Sequence, residues 1–85
     1  MRFLESIINM KLNNIGRDEL MGLAKQHGVS LTRDEAERIS RELRGKNYNL
    51  FNVEQRKHVV NQIAAIIGRD RAKQVEQIFL SFTGR

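Results

Sequence analysis

The stretch that decides the fold is Leu31-Thr32-Arg33-Asp34-Glu35-Ala36-Glu37-Arg38-Ile39-Ser40-Arg41-Glu42-Leu43-Arg44-Gly45. Thr32 followed by Glu35 forms the reciprocal cap of a helix N-terminus. The hydroxyl takes the N–H of Glu35, and the carboxylate takes that of Thr32. Leu31 and Ala36 flank the cap at the spacing of a hydrophobic staple. Ala36, Ile39 and Leu43 then recur in steps of three and four, which lines one face of a helix. Gly45, just past Arg44, is the residue type that lets the chain turn left-handed and stop. Asp34 with Arg38, and Glu37 with Arg41, stand four apart in the favourable order, each pair worth a few tenths of a kcal/mol on a solvated face.

Working outward, the same grammar marks four more helices. A second helix covers about residues 17–27, with Gly16 as N-cap, Asp18 and Glu19 in its first turn, Ile15 and Leu20 as staple, and Gly28 as its stop. Leu20, Leu23 and Ala24 line one of its faces. Gly22 falls in mid-helix, where glycine costs about 1 kcal/mol relative to alanine; this predicts the close approach of a neighbouring helix. A first helix covers about residues 2–12. A fourth opens at Asn52 with Gln55 at its third position and ends at Gly68, and a fifth covers about residues 69–82. The fourth has a wide apolar arc of Val53, Val59, Val60, Ile63, Ala64, Ile66 and Ile67, which predicts a central place. Arg-Asp follows Gly16, Thr32 and Gly68 at unequal spacings, so it reads as convergent helix-start chemistry and not as a duplication. The expectation is an all-α fold of about five short helices, one domain over residues 1–85.

Composition narrows the function. The net charge of +5 comes from fifteen Lys+Arg against ten Asp+Glu. The excess falls mainly after residue 52, interspersed rather than gathered into the stripe of a dedicated nucleic-acid binder. Glu5 breaks the opening Met-Arg-Phe-Leu before a signal-peptide core forms. The longest apolar run, residues 63–67, is far short of the ~20 residues a membrane span needs. With no cysteine in the chain, a reducing, cytoplasmic setting without membrane association is expected.

The inventory for catalysis is thin. Thiolate chemistry is excluded. His27 and His58 lie in different helices, and neither belongs to a His-x-x-x-His pair. His27 in a last helical turn and His58 on a polar face read as structural and solvated. Gly22 apart, the glycines sit at helix ends and never build a phosphate cradle, and no acidic run has calcium-loop spacing. The chain is therefore expected to be no enzyme, with no catalytic residue, metal or cofactor.

Two resemblances add to this reading. Residues 12–43 join two helices by a short extended link, with Leu20, Leu23, the Gly28-Val29 stop, Ile39 and Leu43 in matching places. That unit resembles the helix–extended loop–helix of SAP and Rho N-terminal domains, which implies nucleic-acid binding. Where SAP modules tend to carry Gly-Lys at the second helix, this chain has Thr32-Arg33-Asp34-Glu35. Over nearly the whole chain, Lys11-Leu12-Asn13, Asp18-Glu19-Leu20, Ala24-Lys25-Gln26, Ser30-Leu31-Thr32 and Arg44-Gly45-Lys46-Asn47 with Leu50-Phe51 look like the YqfT-like family. Those are short Bacillaceae proteins of unknown function. The likeness implies a cytoplasmic protein of a spore-forming Gram-positive bacterium and supplies no activity.

Three surfaces are candidates for binding. Tyr48, Leu50 and Phe51, between the third and fourth helices, either fold over the core as a lid or stand out as a partner's anchor. Arg56 interrupts the apolar arc, either snorkelling to solvent or paired with a carboxylate. Lys57, Arg69, Arg71 and Lys73 read as a basic group around the junction of the last two helices. Leu4, Ile8 and Leu12, with Leu80, form apolar stripes beyond those that dock the first and fifth helices. They mark self-association, a homodimer being favoured; the competing explanation packs those two helices on each other. The functional expectation is a protein-binding or self-assembly module. The alternative is a weak nucleic-acid binder of SAP-like type.

Overall fold

The computed structural model describes residues 2–83. Five helices follow one another, α1 (Arg2–Asn13), α2 (Arg17–Gln26), α3 (Arg33–Leu43), α4 (Val53–Ile67) and α5 (Arg69–Thr83), and no strand occurs among the described residues. The helix boundaries are chemical. Thr32 Oγ1 accepts from Glu35 N at 3.1 Å while Glu35 Oε1 accepts from Thr32 N at 3.0 Å, which closes the capping box of α3. Asn52 caps α4 by accepting from Gln55 N at 3.0 Å. At the end of α2, Val29 N donates to Ala24 O and Gly28 N to Lys25 O, with Gly28 at φ +78°. This paired closure needs a left-handed residue, and glycine takes that conformation without the Cβ clash.

α4 packs most extensively against α5 and also against α3, while α2 lies on α3. α1 meets the rest through a narrower contact with α3. The core runs continuously from Leu12 and Ile15 through Leu20, Ala24, Ile39 and Leu43 to Leu50, Ile63, Val75 and Phe79. The radius of gyration is 11.6 Å, close to the ~12 Å of a well-packed chain of this length. Ser40, fully buried, donates to Ile15 O at 2.6 Å and accepts from Arg44 Nη2 at 2.9 Å, which ties α3 to the turn before α2. No helix among the described residues is long and apolar enough to cross a membrane.

The structure corrects three local expectations. Gly22 is exposed, and a Cβ built there meets nothing within 4 Å. No helix approaches it; the glycine lines a shallow concavity with Met21, Lys25 and residues 28–31. Val53 is exposed, because as the first residue of α4 it precedes the point where that helix enters the core. Arg41 pairs with Glu37 at 3.3 Å, but Asp34 and Arg38 form no ion pair among the described residues.

Candidate interaction surface

α1 is held in place by asparagines. Asn13, buried, donates to Asn9 O at 2.7 Å and to Tyr48 O at 2.8 Å, and its Oδ1 accepts from Tyr48 N at 2.8 Å. Asn9 Oδ1 accepts from Leu50 N at 2.9 Å, and its Nδ2 donates to Asn49 Oδ1 at 3.0 Å. Two side chains of one helix turn thus satisfy the irregular backbone of residues 48–50, which no secondary structure could satisfy. Gln55 and Arg56 complete the clasp from α4. Gln55 Oε1 accepts from Asn49 N at 2.8 Å, and Arg56 Nη1 donates to Leu50 O at 3.1 Å.

That geometry decides the aromatic connection. Leu50 is fully buried, and Tyr48 and Phe51 are half-buried, so the segment is a lid and Leu50 is no anchor for a partner. The Tyr48 ring stands 5.8 Å from the exposed His58 ring and under Lys46 Nζ at 5.9 Å. Arg56 neither snorkels free nor meets a carboxylate; it is engaged by a backbone carbonyl, and its buried Nε has no partner.

The basic group does not assemble as the sequence suggested. Lys57 lies in the second turn of α4, eleven residues before Gly68, which is roughly 17 Å along the helix from the junction. Arg71 is already occupied. Its Nη1 and Nη2 grip Glu35 Oε1 and Oε2 at 2.9 and 2.6 Å, and it also donates to Ser30 O at 2.9 Å and Ile67 O at 3.3 Å. Arg69 and Lys73 remain exposed. Among the described residues no three His, Cys, Asp or Glu side chains are grouped to hold a metal ion.

The asparagine clasp also fixes which side of α1 turns outward. Leu12 is 3% exposed and belongs to the core, and Ile8 packs against it, so of the stripe expected to face outward these two point in and only Leu4 turns out. The outward face carries Phe3 (75% exposed), Leu4 (57%), Ile7 (41%) and Met10 (62%), with Phe82 of α5 (40%) nearby. Asn9 and Asn13, on the opposite side from Ile7 and Leu4, set this rotation by their bonds to residues 48–50. Beside the face runs an apolar groove of about 280 Å³ between α1, α2 and the end of α5, lined by Ile7, Ile8, Leu12, Ile15, Leu23 and Phe82. Lys11 and Glu19 form its rim and pair at 3.6 Å. Leu80 is half-buried and does not line it. α1 and the end of α5 form two walls of this groove, with Ile7, Ile8 and Phe82 facing into it.

Comparison with known proteins matches the chain over almost its whole length. A family model described as "Protein of unknown function (DUF2624)" matches residues 1–83. The chain is 36% identical over 83 residues to the uncharacterized protein YqfT of Bacillus subtilis (strain 168), covering 98% of this chain and 99% of that protein. No solved structure matches.

Proposed function

The chain belongs to the DUF2624 family of proteins of unknown function, and from that premise we propose that it works as a non-catalytic assembly module that presents the outward face of α1 to a protein. One observation carries this reading: four large apolar side chains on one helix face, Phe3, Leu4, Ile7 and Met10, stand exposed beside an apolar groove. With ~200 Å² for a large apolar side chain, the exposed parts of these four and Phe82 amount to on the order of 500 Å². That is at the upper end of the largest patch on an ordinary monomer, ~300–600 Å², where such patches are often functional. The clasp of Asn9 and Asn13 ties the second half of α1 to residues 48–50 and so fixes which side of the helix turns outward.

The test is site-specific photocrosslinking in cells. A photoreactive side chain at Met10 should yield protein adducts, and the same group at the exposed Gln77 of α5 should yield none. Absence of any adduct at Met10 would overturn the reading.

A further inference from the structure

We propose that the partner on this face is a second copy of the same chain, docked antiparallel along α1 about a twofold axis beside Ile7; the proposal rests on the reading of α1 as a contact face. A twofold contact uses one patch twice, so the patch must carry both a projection and a recess to receive it. This one does. Phe3 and Leu4 project at the start of α1, and the groove opens at Ile8 and Leu12, eight residues on from Leu4, or about 12 Å along the axis at ~1.5 Å per residue. Ile7 lies near the midpoint between them. An antiparallel second copy therefore lays its Phe3 and Leu4 over this copy's groove while receiving this copy's in return. A parallel arrangement would set projection against projection and leave both grooves open.

Three further features fit a second copy. The groove of about 280 Å³ has room for an aromatic ring, since an apolar cavity of ~150 Å³ accepts benzene. The rim charges cancel. Lys11 and Glu19 pair with each other at 3.6 Å at the groove rim, so no net charge there opposes the entry of an apolar side chain. The area also suffices. Two patches of on the order of 500 Å² together reach the ~1,000 Å² at which a specific interface begins. An interface at that lower limit belongs with weak, reversible contacts.

Sedimentation equilibrium of the full chain over ~1–100 µM should report reversible dimerisation. Phe3→Asp and Leu4→Asp, both at exposed positions, should raise Kd at least tenfold while the circular dichroism melting curve recorded well below that Kd stays unchanged. The chain has no cysteine, so Ile7→Cys introduces a lone thiol at the proposed axis. Mild oxidation should link that variant into disulfide dimers and leave the Asn61→Cys variant, on the exposed side of α4, monomeric. A chain strictly monomeric at ~100 µM overturns the second copy as partner, while Met10 crosslinking in cells still judges the contact face itself. A dimer that ignores Phe3→Asp and crosslinks through the Asn61→Cys variant overturns both.

Discussion

Arg71 in the first turn of α5 grips Glu35 in the first turn of α3 through both guanidinium ends, at 2.9 and 2.6 Å. The same guanidinium reaches Ser30 O and Ile67 O. One side chain thereby joins the α2–α3 link, the start of α3, the end of α4 and the start of α5. α3 and α5 make little other contact, so the pair supplies an orientation that packing leaves open. The planar fork suits this task, because it fixes a carboxylate by geometry as well as by charge.

The Glu35 carboxyl is held down at about 2, first by the Arg71 hydrogen bond and next by the Thr32 N–H, against an opposing effect of partial burial. Its folded value lies below the unfolded one of ~4.3, so the unfolded chain binds the extra proton in acid. The stabilisation is complete above about pH 4.3 and is lost as pH falls toward 2. Glu35→Gln should lower the melting temperature at pH 7 by roughly 5 °C, since ~1 kcal/mol shifts a domain of this size by 4–8 °C. It should also flatten the acid limb of the pH–stability curve, as thermal melts from pH 2 to 7 would reveal.

Gly22→Ala should stabilise the protein by about 1 kcal/mol. The new methyl enters open space at a helical position with no positive φ, and alanine restricts the unfolded chain. Urea unfolding of the two proteins measures this directly. A loss of stability would mean that a neighbour packs on the site after all.

Asn13→Ala should cost about 1–3 kcal/mol, because Tyr48 N–H and the Tyr48 carbonyl lose their partner while remaining partly buried. Amide exchange should localise the damage: protection at Tyr48 and Leu50 should fall, while α4 and α5 keep theirs up to the new global stability.

These residues show what the sequence makes legible and where it falls silent. Thr32, Glu35, Gly28 and Asn52 act on neighbours within five residues, so their caps and stops can be read from spacing alone. The Glu35–Arg71 grip joins residues 36 apart, and Asn13 reaches across 35 to Tyr48. Nothing in local periodicity encodes either contact. The rotation of α1 escapes local periodicity for the same reason. Phe3, Ile7 and Met10 compete with Leu4, Ile8 and Leu12 as apolar stripes of similar strength. The choice between them is made by Asn9 and Asn13, whose polar side chains turn inward to serve a distant loop. Gly22 failed as a sign of close packing because a mid-helix glycine also arises where nothing packs at all.

The inward turn of Leu12 and the outward turn of Phe3 make a paired prediction. Leu12, at 3% exposure, packs with the core, so Leu12→Ala removes buried methyl groups and leaves a cavity at a cost of about 2–5 kcal/mol. Phe3→Ser strips an aromatic ring that faces solvent and should change the stability of the isolated chain by no more than ~0.5 kcal/mol. The contrast must be measured by denaturant unfolding well below the proposed dimer Kd, because association would otherwise add its own stabilisation to the folded state. At concentrations far above that Kd, Phe3→Ser should become destabilising relative to the parent, and Leu12→Ala should remain so at every concentration. Equal costs for the two substitutions in the dilute chain would place Phe3 inside the fold and remove the exposed face on which the assembly reading stands.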